Sequence, residues 1–185
     1  MGRLRIRFLA TLVLILITSQ LIGCTRYSYA PVAPGPGWIW DLDIGYTIGV
    51  NEFNTGLPLS RASAAKRRST IRNGSVVAVH VPIGADNGSW AQVHITYFTL
   101  LCYPIREPLL PVTTGDFDND LKAAGYTPWI DPPPGGAVNG WITYIVPGIR
   151  NPDYCFLLYN RPELLSPDGT TIRPQNQSYL LTWMV

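Results

Sequence analysis

The longest stretch of strict alternation in the chain runs from Trp38 to Val50, W-I-W-D-L-D-I-G-Y-T-I-G-V, with large apolar side chains on even positions and mostly Asp, Gly and Thr on odd ones. A period of two sends one set of side chains to a core and the other to water, so the run predicts a half-buried strand with its even residues inward. Shorter runs of the same kind cover 75–81, 90–101, 141–146, 154–159 and 179–185, all rich in β-branched and aromatic residues. Asn-Gly at 73, 87 and 139, Pro-Gly at 147, Asn-Pro at 151 and S-P-D-G at 166 separate them. Six strong runs and a seventh around Thr170–Ile172 predict an all-β domain over 38–185, an antiparallel β-sandwich of about seven strands. Helix is confined to one or two turns in D-F-D-N-D-L-K-A-A-G, capped by Asp116 or Asp118 and stopped by Gly125.

Ahead of this pattern the chain changes character. M-G-R-L-R-I-R-F places Arg3, Arg5 and Arg7 before an apolar run that ends in Leu21-Ile22-Gly23-Cys24. The run is shorter than the roughly 20 residues a spanning helix needs, and with its basic start it predicts an export signal over 1–23. The closing L-I-G-C resembles the bacterial lipobox, which implies acylation of the Cys24 sulfur and cleavage just before it. An uncleaved signal anchor with an incidental cysteine is the alternative. Residues 24–37, rich in proline and glycine, form a linker that reaches up to roughly 40 Å when extended at about 3.1 Å per residue. The expected location is the extracytoplasmic face of a bacterial cell membrane, with the membrane itself as a partner through Cys24.

Charge follows from this division. Losing the three arginines of the signal leaves 11 Lys and Arg against 12 Asp and Glu, so the formal charge falls from +2 to −1. The basic balance belongs to the signal and gives no reason to expect nucleic acid as a partner. Two cysteines remain, Cys102 and Cys155, and an even pair in an exported domain is expected to be bridged; two buried reduced thiols are the alternative.

Four stretches carry a family resemblance: N-G-S-V-V-A-V-H-V-P-I at 73–83, Y-F-T-L-L at 97–101, T-T-G-D-F-D at 113–118 and P-P-G-G-A-V-N-G-W-I-T-Y-I-V-P at 133–147. Together they resemble the telokin-like, immunoglobulin-related domain of small exported actinobacterial proteins and lipoproteins, a family that includes a secreted mycobacterial antigen. The resemblance spans Trp38 to Tyr159, and the glycine-preceded strand from Gly140 to Pro147 is its recurrent mark. It implies an immunoglobulin-like β-sandwich at an exported location and no particular activity. The chain departs from the family pattern at the I-R-E-P-L-L-P-V loop between Tyr103 and Gly115 and at the hairpin-like stretch before the last strand.

Candidate chemistry is sparse. The only imidazoles are His80 and His94, both expected to face outward on adjacent strands; they meet across the sheet as a metal or acid-base pair, or they are unrelated surface residues. Asp116, Asp118 and Asp120 have the spacing of the first carboxylates of a calcium loop, yet Leu121 stands where that loop needs Gly and Thr127 where it needs Glu. Lys66, Arg67 and Arg68, with Arg61 and Arg72 nearby, form a basic loop that either touches anionic headgroups or is a solvated connection. The sequons at Asn73, Asn87 and Asn176 read as turns and a polar strand entry in a bacterial protein.

No nucleophile, base and orienting acid assemble from these residues, and no cofactor or metal is expected. The expectation is a non-enzymatic, lipid-anchored binding domain for an envelope or extracellular protein. Its surface is placed on two loops, at Arg106, Glu107, Leu109 and Leu110 and at Tyr126, Trp129 and Ile130, although an aromatic such as Trp129 also suits the closing of one end of the core. The alternatives are an envelope-protective lipoprotein, such as a phage-encoded superinfection exclusion factor, and an envelope enzyme using His80 or His94.

Overall fold

A computed structural model of the chain describes residues 37–41, 43–70, 74–85, 91–150, 152, 154–165, 169–173 and 178–181. The signal segment, Cys24, the linker apart from Gly37, Arg72, the three sequon asparagines and residues 182–185 lie outside them.

The alternating run from Trp38 does not make one strand. The chain reverses inside it, and β1 (Trp38–Asp41) and β2 (Tyr46–Gly49) form an antiparallel hairpin with Trp38 opposite Gly49 and Asp41 opposite Tyr46. The Asp41 carbonyl accepts the N–H groups of Ile44 at 3.3 Å and Gly45 at 2.9 Å, and Gly45 adopts φ +73°, a left-handed conformation that glycine enters without steric cost. The reversal also changes the phase. Tyr46, Ile48 and Val50 are buried as expected, but in β1 it is Ile39 and Asp41 that point inward, while Trp40 is 55% exposed. Trp38 lies across Gly49, where a Cβ would sit 2.6 Å from the indole, so glycine at this register position is a packing requirement.

Eight further strands follow: β3 (Glu52–Asn54), β4 (Ser75–Ala85), β5 (Phe98–Cys102), β6 (Val138–Val146), β7 (Cys155–Asn160), β8 (Leu164–Leu165), β9 (Thr171–Arg173) and β10 (Ser178–Leu181). The described residues thus form ten strands where the sequence predicts about seven, and every strand pairing is antiparallel. The run at 90–101 is a strand only from Phe98, because Ile95–Tyr97 make a short 3-10 turn.

In the larger sheet β4 is the central strand. β6 pairs along one side, from Ser75 opposite Val146 to Ile83 opposite Val138, while β2 and β3 share the other. The second sheet has the order β10-β7-β5, and β8 pairs β9 separately. One core joins the two larger sheets: Val77, Val79 and Val81 of β4 with Ile142 and Tyr144 of β6 meet Phe98 and Leu100 of β5 and Leu157 and Tyr159 of β7. Each such side chain contributes roughly 1.5–3 kcal/mol on burial, which makes this layer the main source of stability. Cys102 faces Cys155 in the β5–β7 register, and their sulfurs are bonded at 2.03 Å.

The outer face of the larger sheet is also covered. Val76, Ala78 and Trp141 pack against Leu57, Phe117 and Leu121 in a second, smaller cluster. Phe117 and Leu121 come from the predicted short helix, α2 (Asp118–Ala123), which ends as expected ahead of Gly125 at φ +82°. Neither candidate aspartate caps it by its side chain. The other helix, α1 (Arg61–Thr70), falls where the sequence suggests a basic loop. Ser60 starts it, its Oγ accepting the Ser63 N–H at 3.2 Å and its carbonyl the Ala64 N–H at 2.8 Å. The helix escapes a periodicity search because alanine is its only apolar residue type.

The outer edge of β6 is closed by two short segments. Val112 N–H donates to the Thr143 carbonyl at 2.8 Å, Trp129 N–H to the Trp141 carbonyl at 2.9 Å, and Trp141 N–H to the Thr127 carbonyl at 2.8 Å. Gly140 permits the second closure, since a Cβ there would lie 2.9 Å from the Trp129 Cα.

Candidate functional site

The two segments that close the β6 edge come from the two loops singled out in the sequence, and between them lies a groove of about 500 Å³. Trp129, Trp141 and Thr143, all buried, form its inner wall, and Thr96, Val112, Asp118, Ile130 and Asp131 line the rest. Ile130 is 74% exposed. The volume falls in the range of small-ligand and side-chain pockets, and the mixture of apolar wall and few polar groups is the composition such sites use.

One end of the groove is organised by Asp131. Its Oδ1 accepts Trp129 Nε1–H at 2.7 Å and the Ile95 N–H at 2.8 Å, and its Oδ2 lies 3.0 Å from His94 Nδ1. Burial pushes the Asp131 carboxyl up, but the hydrogen bonds from Trp129, His94 and Ile95 outweigh it and hold the group below the ordinary carboxylate value. Burial, followed by the Asp131 charge, raises the neighbouring Tyr97 phenol. His94 stands edge-on to Tyr97 with ring centroids 5.4 Å apart.

The predicted surface residues are distributed over four places. Trp129 is only 9% exposed and packs edge-to-face on Phe98 at 5.4 Å, so it closes the core and is not an exposed anchor. Tyr126 is half-buried and stacks on Trp141 at 3.9 Å, its hydroxyl accepting Asn54 Nδ2–H at 3.1 Å. Leu109 is drawn to β5 by reciprocal backbone bonds with Leu100 of 2.9 and 2.7 Å, whereas Leu110 is 72% exposed. Arg106 and Glu107 are exposed, and Arg106 edges a separate shallow cup of about 300 Å³ with Tyr103, Ile105 and Phe156. Of the seven residues, Trp129 and Ile130 line the groove.

The histidines do not form a pair. His80 stacks on Trp141 at 5.1 Å, with Nε2 2.5 Å from Asn139 Oδ1, and His94 precedes the 3-10 turn and faces Asp131. The three aspartates diverge as well. Asp116 pairs with Lys66, whose hydrogen bond, aided by Thr114, lowers its carboxyl; Asp118 turns to the groove; buried Asp120 accepts the Ser60 N–H at 2.7 Å. No group of three or more His, Cys, Asp or Glu among the described residues is placed to hold a metal ion.

Sequence reasoning missed a further cluster. Asp41 and Asp43 converge with Arg161 and Arg173, and Asp41 is fully buried. Tyr159 donates its hydroxyl to Asp41 at 3.1 Å, and burial followed by the Asp41 charge raises that phenol far above its ordinary value. Long sequence separations hide the cluster, and alternation places Asp41 on the outward face, where an aspartate calls for no partner.

No helix among the described residues is long and apolar enough to cross a membrane. Comparison with family models finds no match, and comparison with curated proteins finds none. Among solved structures, the chain is similar to a functionally unknown protein from Listeria monocytogenes EGD-e, with a TM-score of 0.51 and 12% identity over 85% of this chain and 86% of that one. It is also similar to a candidate lipoprotein from Bacillus subtilis, with a TM-score of 0.45 and 10% identity over 79% of this chain but only 38% of the other. The Listeria likeness extends to the fold alone: an all-β arrangement of antiparallel sheets with few helices.

Proposed function

We propose that the protein is a lipid-anchored binding module on the extracytoplasmic face of a bacterial membrane. In this reading an immunoglobulin-like sandwich presents the β6-edge groove to an envelope or extracellular protein. The observation that carries it is the convergence of two loops on one strand edge, giving a groove with an indole wall, an exposed Ile130 and carboxylates at Asp118 and Asp131. Such a rim suits a protruding apolar side chain flanked by a hydrogen-bond donor or a cation. The export signal and lipobox supply the address, and acyl chains on Cys24 hold the domain at the surface.

A non-enzymatic role fits the use of Asp131, whose two oxygens already receive Trp129, Ile95 and His94. The test is a photo-crosslinking residue at position 130 in intact cells, with position 165 as an exposed control. A discrete protein captured from 130 alone and retained in H80A/H94A supports the module. Equal capture from both positions, or an activity abolished by H80A/H94A, overturns it.

A further inference from the structure

A second cleft, of about 480 Å³, opens where α1 passes the start of β4, and the groove reading does not use it. Among the described residues three arginines line it, Arg67 and Arg68 from α1 and Arg150 from the turn after β6, and no Asp or Glu does. Arg67 is held in place through Nη1–H donation to the Gly74 carbonyl, and Arg68 through Nε–H to the Ala64 carbonyl at 3.2 Å. Lys66 stands apart, paired with Asp116.

Two polar atoms of residues that line the cleft, Arg67 Nε and Ser75 Oγ, are buried beside it without a hydrogen-bond partner among the described residues. A buried unsatisfied donor costs about 1–3 kcal/mol, so two of them, one on Arg67 itself, beside the further charges of Arg68 and Arg150 mark a place that an oxygen-rich anion completes. A phosphate group carries up to about two negative charges on several strong acceptor oxygens, and guanidinium forks match its geometry.

We propose that the cleft between α1 and β4 binds a phosphate group, with Arg67, Arg68 and Arg150 as counter-charges and Ser75 as a neutral donor. The phosphate comes either from a soluble phosphomonoester or inorganic phosphate, or from the headgroup of an anionic phospholipid.

The experiment is an NMR titration of the full chain in nonionic detergent, following the backbone amides of Gly74 and Ser75. The probes are inorganic phosphate, dihexanoyl phosphatidylglycerol and, as a zwitterionic control, dihexanoyl phosphatidylcholine. Saturable shifts with inorganic phosphate assign a soluble phosphate, and saturable shifts with phosphatidylglycerol alone assign a headgroup. In either case R68Q/R150Q weakens binding by about tenfold or more, as loss of charge-assisted hydrogen bonds requires. S75A weakens it less, and neither variant lowers the melting temperature, S75A raising it if anything because an unsatisfied buried hydroxyl is removed. The proposal is overturned if neither phosphate probe saturates, if sodium chloride or phosphatidylcholine gives the same shifts, or if both variants bind like the parent chain.

Discussion

Arg161 holds Asp41 with two nitrogens, Nη2 at 2.6 Å from Oδ1 and Nε at 3.0 Å from Oδ2, across 120 residues of chain. Arg173 adds Nη1 to the same Oδ1 at 2.7 Å and donates Nε and Nη2 to the Pro162 carbonyl at 3.3 and 3.1 Å. Burying charge is costly, and here the cost is offset because the Asp41 oxygens are saturated with donors. The cluster ties the β1–β2 turn to the segment after β7 and to β9, three places that share no sequence signal.

Removing Arg161 strips buried Asp41 of two charge-assisted hydrogen bonds, and removing Asp41 leaves two buried guanidinium groups to share the partly exposed Asp43. R161A should destabilise the protein by about 3–5 kcal/mol, with D41A similar. Urea unfolding followed by tryptophan fluorescence checks this; a loss below about 1 kcal/mol would mean that water enters and solvates the cluster.

The Cys102–Cys155 bridge spans 53 residues. Constraining a loop of that length in the unfolded chain contributes about 4 kcal/mol in the chain-entropy account. C102A/C155A should lower the urea midpoint accordingly, and the parent protein should fall to the same midpoint in reductant.

Asp131 gives the acid limb of stability a defined sign. Its folded value lies below that of the unfolded chain, so its contribution is fully present above the unfolded carboxylate value of about 4 and is lost as pH falls through the folded value. D131N should therefore flatten the decline in melting temperature below about pH 4 and leave its slope at higher pH unchanged. A parallel decline in both proteins would show that other carboxylates dominate.

G140A should force the 127–129 segment away from β6, because the added Cβ meets the Trp129 backbone rather than a side chain that can turn aside. Overpacking of this kind costs about 1–3 kcal/mol. The variant should melt lower and show red-shifted tryptophan emission as Trp129 gains water. G56A, which meets nothing within 4 Å, is the control.

Period-two alternation correctly indicated an antiparallel, β-rich chain, and it located β4, β6 and β7 because their residues face a core on at least one side. It failed at Trp38–Asp41, where a four-residue hairpin turn keeps large residues coming at the same spacing while reversing which of them point inward. α1 was invisible for the opposite reason: a helix needs an apolar stripe to be seen, and this one rests on a serine cap and alanine propensity. At the groove, the loops were identifiable by their apolar content, but composition does not separate Trp129, which seals the core, from Ile130, which faces water. The arginine cleft needed the helix to exist before Arg67 and Arg68 could meet Arg150.

The closure of β6 restricts how another molecule can join this side of the protein. Pro111 and Pro128 occupy bridge positions in the two covering segments, opposite Tyr144 and Trp141, and proline offers no N–H to an incoming strand. A visiting peptide there meets little backbone on which to extend the ladder by its main chain. Discrimination between visitors therefore rests on side-chain shape and charge, so single substitutions along the groove, rather than exchanges of whole loops, are the natural currency for altering it.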